Sequence, residues 1–133
     1  MFDISAVSDP SAQPFSLGGK AVHGSKAVRL SGDFSLVYTS GLVAARDTGG
    51  RGPIESQVHS VLGQLRDLVA AAGGGMEDVV KLMAWLPRRE DVPIYAEIRR
   101  EYFGTASPAS TSVISQLVEE DILIEVEAIV AVV

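Results

Sequence analysis

A chain of 133 residues is the size of one domain and can bury roughly two-thirds of the surface that its unfolded form exposes. Hydrophobic residues make up 47% and mean hydropathy is +0.24, but the longest uncharged apolar run, Ala128 to Val133, falls far below the ~20 residues of a membrane helix, so no membrane association is expected. A net charge of −6 and a pI near 4.8 repel phosphate backbones, which argues against nucleic-acid binding unless a local basic patch exists.

The candidates for such a patch are Arg88-Arg89 and Arg99-Arg100, both expected to be solvated charges at helix ends. There is no cysteine for a disulfide framework, and "MFDISAVSDPSAQPFSLGG" lacks the basic and apolar blocks of a signal peptide, so a cytoplasmic location is expected. Residues 1–19, rich in Ser, Pro, Gly and Ala, read as a loose arm with one strand fragment; residues 20–133 read as a single domain.

From Lys20 the pattern tightens. "KAVHGSKAVRL" and "FSLVYTSGLVA" are β-branched and aromatic runs separated by "SGD", a hairpin signal. Pro53 suits a first helical position, and Ile54, Val58, Val61, Leu62, Leu65, Leu68, Val69 and Ala72 then recur at helical spacing until Gly73, Gly74 and Gly75 stop the helix. "EDVVKLMAWL" is apolar on both faces apart from Lys81, as a strand inside a covered sheet should be. "REDVPIYAEIRREYFG" predicts a second helix capped by Asp91, with Ile94, Ile98 and Tyr102 on one face and Gly104 as its stop. Two last strands, about 109–117 and 122–133, give the order ββαβαββ: an α+β layer with both helices on one face of a mixed sheet.

Alternation in the last strand puts Ile122, Ile124, Val126, Ala128, Val130 and Val132 under the helices. The opposite set, with Glu125 and Glu127 among Leu123, Ile129, Ala131 and Val133, mixes apolar groups with carboxylates. Such a face suits contact with other subunits around a polar pocket, so a homo-oligomer is expected.

Chemistry-bearing motifs are sparse. GxxxxGK[ST], GxGxxG after a strand, HExxH and GxSxG are all missing from the sequence. His23 and His59 have no second histidine at ligand spacing, so no metal site is expected. The triplet Gly73 to Gly75 follows a helix, where a phosphate cradle would precede one. Glu125 and Glu127 lie about 7 Å apart along the strand at ~3.4 Å per residue, and the domain is small for a two-carboxylate sugar cleft. One carboxylate ordering a water or taking a proton is the better reading, with a structural ion pair as its competitor.

Six segments then fall in register with a known family: "LVYTSG", "IESQVHSVLGQLRDLVAAAG", "MEDVVKLMAWL", "YAEIRREYF", "SPAST" and "IEVEAIV". From about Ala27 to Val132 the chain resembles the RidA/YjgF family, also called L-PSP endoribonuclease-like or reactive intermediate deaminases. The resemblance implies a chorismate-mutase-like fold, a homotrimer with three inter-subunit clefts, and hydrolysis of enamines and imines without metal or organic cofactor. It matches Gly41 to the glycine of an "SG" turn and Glu125 to a strand glutamate associated with the attacking water. It also exposes departures: Ser110 stands where the family's carboxylate-clamping arginine belongs, Gly24 in place of a cleft tyrosine and Leu42 in place of a glutamine. Ser110, Thr111 and Ser112 are therefore expected to hydrogen-bond a small ligand, and Lys26, on the strand face of Gly24, to offer a replacement cation.

The resulting reading is a divergent imine or enamine hydrolase whose substrate lacks the usual carboxylate. The alternative is a non-catalytic trimeric small-molecule-binding or regulatory protein. A ribonuclease is disfavoured by the acidic charge and the scarcity of cleft cations.

Overall fold

The apolar periodicity of residues 54–69 and the alternation of 125–132 dictate a helix on a sheet, and this is the arrangement of the computed structural model, which describes residues 2–7 and 16–133. The strands are β1 (Asp3–Ala6), β2 (Ser16–Leu17), β3 (Lys20–Ala21), β4 (Val28–Ser31), β5 (Ser35–Tyr38), β6 (Val79–Leu86), β7 (Ala109–Ile114) and β8 (Glu125–Val132). Helix α1 (Ile54–Ala71) precedes β6, and α2 (Val92–Phe103) lies between β6 and β7. The principal sheet has the order β5-β8-β6-β7; β6 and β7 run parallel, and the other neighbours are antiparallel. Two helices on a mixed sheet make an α+β fold.

Alternation assigns the two faces. Leu82, Ala84 and Leu86 of β6 and Val126, Ala128 and Val130 of β8 are buried in one cluster with Val58, Val61, Leu62, Leu65 and Val69 of α1. Each such side chain contributes at most about 1.5–3 kcal/mol by leaving water. On the opposite face Lys81, Met83 and Trp85 pair with Ile129, Glu127 and Glu125, and all six are half-buried. No helix of the described residues is long and apolar enough to cross a membrane.

Gly73 closes α1 at φ 91°, where a Cβ would be strained, and Gly104 closes α2 at φ 56°. Asp91 stands at the start of α2 without capping it: its own backbone is already helical, and its buried carboxylate accepts a hydrogen bond from Arg88 Nε at 2.8 Å instead.

The expected hairpin between the first two long runs does not form. Instead β4 pairs with β1, and β5 pairs with β8, because the edge of β8 offers β5 an apolar partner strand that a local turn could not supply. A hairpin does occur earlier, where β2 and β3 pair across Gly18-Gly19, both at positive φ. Of the 1–19 arm, the described parts contribute β1 and β2; residues 1 and 8–15 lie outside the described residues.

The α2 stripe also differs from expectation. Its deepest positions are Tyr95, Ala96, Arg99 and Phe103, while Ile94 and Tyr102 are only half-buried. Arg99 is not a solvated helix end: it is 1% exposed and lies under β7.

Candidate functional site

The sequence-derived residues fall into two groups. The first is built by an irregularity between β5 and β8. Tyr38 pairs with Ile129 and Leu42 with Val126, so four steps along one chain match three along the other, and the extra residue bulges. Thr39 absorbs the mismatch: its N–H donates to the Ala128 carbonyl at 3.0 Å, and its Oγ1 accepts the Ala128 N–H at 3.0 Å. The bulge brings Gly41 against the Glu125 side chain so closely that a Cβ at position 41 would lie 2.9 Å from Glu125 Cδ and nearer still to Oε2. Gly41 thus leaves the room in which the Glu125 carboxyl group sits.

Polar side chains of α1 and its preceding loop hold this bulge. Buried Gln57 donates to the carbonyls of Gly52 and Asp121, each at 2.9 Å, and accepts the Leu123 N–H at 2.9 Å. Gln64 donates to the Val43 carbonyl at 3.0 Å, and Arg51 Nε to the Ala44 carbonyl at 2.9 Å. Arg51 also pairs with Glu119 at 2.9 Å and with Asp121, and Arg46 pairs with the same two carboxylates at 2.6 and 3.0 Å. Hydrogen bonds from Arg51, then Arg46, hold the Glu119 carboxyl below its ordinary pKa. The segments entering Gly41 and Glu125 are therefore clamped together, and Arg46 and Arg51 are committed to that clamp.

The second group lies two strands away, about 10 Å across the sheet at ~4.8 Å per strand. Ser25 forms a bridge to Ala109; its N–H donates to the Pro108 carbonyl at 3.2 Å and its Oγ to the Ser107 carbonyl at 2.7 Å. This seats Gly24 beside the start of β7. Ser110 and Ser112 point to the helix side of β7 and Thr111 to the open side, so the three hydroxyls do not face one ligand together. Ser110 Oγ accepts a hydrogen bond from Arg99 Nη1 at 3.2 Å, and Thr111 Oγ1 accepts one from Lys81 Nζ at 3.2 Å. Ser112 lines a cleft of 400 Å³ with Leu17, Arg89 and Pro93.

Lys26 is exposed on an irregular segment outside any strand, so it does not share a strand face with Gly24. His59 lies on the exposed flank of α1, with Nδ1 2.9 Å from the Tyr102 hydroxyl, and the His23 side chain is exposed.

A half-buried carboxyl group on a sheet face, seated against a glycine at a bulge, thus joins Glu125 and Gly41, the two positions that the resemblance matched. The family described as Endoribonuclease L-PSP matches this chain over residues 21–132. The chain belongs to that family. L-PSP relatives include a RutC family protein of Pyrococcus horikoshii, 35% identical over 79 residues, which span 59% of this chain and 63% of that protein. A 2-iminobutanoate/2-iminopropanoate deaminase of Dermatophagoides farinae is 28% identical over 95% of this chain and 94% of its own length. Among L-PSP-like solved structures, E. coli TdcF with bound serine superposes with a TM-score of 0.65 at 25% identity, covering 72% of this chain and 80% of that one. The α+β arrangement is the chorismate-mutase-like fold of these RidA/YjgF proteins.

Arg99, Gln57 and the Arg46–Arg51 clamp were not among the sequence-derived site residues. A signal for two of them was present. Gln57 lies three residues from Ile54 and four from Val61, and Arg99 lies four from both Tyr95 and Phe103, so helical spacing puts each on its buried stripe.

Proposed function

We propose that this chain hydrolyses small imines or enamines to the carbonyl compound and ammonia, with Glu125 as the proton-transfer group. The observation that carries the reading is the seating of the Glu125 carboxyl group against Gly41 on the open sheet face, in a family that includes a named imine deaminase. In the reaction, Glu125 accepts a proton from water as the water oxygen attacks the imine carbon. That proton passes to nitrogen to give the carbinolamine, the carboxylate then relays the hydroxyl proton to the same nitrogen, and as the C–N bond breaks ammonia leaves and C=O forms. Water is the only co-reactant, and one positioned carboxylate suffices for both transfers.

The reading includes a homotrimer. Leu36 and Tyr38 of β5, 43% and 67% exposed, continue the half-buried apolar face around Trp85 and Ile129, a surface suited to other copies of the chain. In such an assembly the Gly41–Glu125 group of one subunit meets the Gly24–Ser110 group of its neighbour, which joins two groups that a single chain keeps apart.

Ammonia release from freshly generated 2-aminoacrylate and from bulkier imines tests this. The expected result is turnover above the buffer rate that falls at least a hundredfold in Glu125→Ala. Ammonia release equal to buffer in wild type, with a small 2-oxo acid still bound, would establish the non-catalytic binding protein in its place.

A further inference from the structure

A cavity of 370 Å³ lies between the β1–β4 ribbon and the start of β6, large enough for a small organic molecule. Val79, which opens β6, belongs to its lining, whereas Trp85, the cross-strand partner of Glu125, lies about 20 Å further along that strand. Phe2 and Ile4, two residues apart, form one wall with Val28 of β4, and Val79 and Ser25, 2% and 8% exposed, close the floor. Phe34 supports Phe2, with ring centres 5.4 Å apart. Most of the enclosing surface is thus hydrocarbon.

The polar side chains of the lining are Asp3, Ser25, Glu77 and Ser107, with no cationic side chain among them. Both hydroxyl hydrogens are already engaged: Ser25 Oγ donates to the Ser107 carbonyl at 2.7 Å, and Ser107 Oγ to the Thr105 carbonyl at 3.2 Å. A serine hydroxyl has one O–H and two lone pairs, so each has only acceptors left, and a carboxylate has nothing else. The Asp78 carboxylate accepts the Gly75 N–H at 2.9 Å, but Glu77 and Asp3 make no side-chain hydrogen bond or ion pair among the described residues. Gly75 leaves the space that the Glu77 carboxyl group occupies, since a Cβ at position 75 would lie 2.8 Å from Glu77 Cδ. The side chains of this cavity therefore accept hydrogen bonds and donate none.

We propose that this cavity binds a small organic ammonium ion, its N–H groups on Glu77 and the two serine oxygens and its hydrocarbon body against Phe2, Ile4 and Val28. An ammonium group brings three donors and no acceptor, the complement of this lining. The apolar wall selects an alkyl-substituted cation over ammonium itself, and over metal ions such as calcium, which take six to eight oxygen ligands. A carboxylate or phosphate finds no donor side chain here. The site uses neither Gly41 nor Glu125, so it stands apart from the imine-hydrolase reading.

The measurement is NMR titration of the full chain with butylammonium, ammonium and butyrate at one ionic strength. Butylammonium is expected to bind saturably, with the largest shifts at Ser25 and Val79. Ammonium should bind at least tenfold more weakly, because each methylene taken out of water adds about fourfold in affinity, and butyrate more weakly still. Glu77→Gln removes a charged hydrogen bond and should weaken butylammonium binding about tenfold. Gly75→Ala fits the backbone, at φ −130°, but pushes the carboxyl group aside, and should cost a similar factor. Asp67→Asn, on the exposed flank of α1, changes the net charge by the same amount as Glu77→Gln and should leave binding within twofold.

Butyrate or ammonium binding as tightly as butylammonium, unchanged binding in Glu77→Gln, or an equal loss in Asp67→Asn would each overturn the proposal. If Gly75→Ala does not fold, Glu77→Gln decides. A protein that passes while releasing no ammonia loses only the hydrolase reading, and one that turns over imines but fails here loses only this inference.

Discussion

Placing a methyl group at position 41 is the sharpest probe of the bulge. In Gly41→Ala the new Cβ would lie 2.9 Å from Glu125 Cδ, whereas carbon atoms in contact prefer about 3.5–4.0 Å. The carboxyl group therefore has to move by roughly 0.5–1 Å or rotate away. The backbone gives no other reason for harm: Gly41 is exposed and is not among the glycines at positive φ, so alanine fits its conformation and narrows the unfolded ensemble. Stability should hold within about 1 kcal/mol, by urea titration followed at Trp85. A misplacement of about 1 Å costs on the order of a hundredfold in rate. The expected loss in kcat/KM for 2-aminoacrylate is accordingly about a hundredfold, with Glu125→Gln adding little on top because both changes remove the same positioned carboxylate. A Gly41→Ala protein that is stable and keeps its wild-type rate within threefold, while Glu125→Gln is inactive, would refute the idea that the glycine holds open the carboxylate's place.

Three further outcomes follow from the geometry. The Glu119 carboxyl is held below its ordinary pKa by Arg51 and Arg46, so its contribution to stability is present above the usual carboxyl value near 4.5 and is lost as pH falls through the lowered one. Arg51→Ala should flatten the acid-side decline of the melting temperature, and equal slopes in both proteins would sink that assignment. Leu62→Ala, at a fully buried position of α1, should cost about 2–5 kcal/mol in urea unfolding, and a cost below about 1 kcal/mol would mean the helix is not packed as described. On the proposed homotrimer, Ile129→Lys on the open face should give monomers by light scattering and abolish ammonia release, whereas an active monomer would remove the inter-subunit cleft from the proposal.

Elements whose pattern is local could be read from the sequence, and those that depend on distant partners could not. The α1 stripe, the alternation of β6 and β8 and the stops at Gly73 and Gly104 follow from spacing and backbone chemistry within one segment. The partner of β5 is a different matter: nothing near residues 35–38 announces that they join the strand at 129–132 rather than the one at 28–31. The segment around Gly24 reads as a strand because its composition is β-like, but among the described residues its ladder contact is the single bridge at Ser25, and Lys26 lies outside any strand. At the site, Gly41 and Glu125 were found through the resemblance, while the bulge that joins them arises from a mismatch between two strands and leaves no mark in either. Arg99 was missed for another reason: charge suggested solvent, and its four-residue spacing from Tyr95 and Phe103, the better guide, pointed inward.

The place of β8 in the sheet governs how the molecule must come together. It lies between β5 and β6, so the strand made last of those described is the one that joins the rest. During synthesis β5, α1 and β6 leave the ribosome with their seam still open, and Tyr38 must wait for Ile129 to emerge. Contacts spanning so much of the chain slow folding, because loop closure costs entropy before any contact rewards it. In that interval the edges of β5 and β6 that β8 will cover are bare, and a truncation that removes β8 would leave them so.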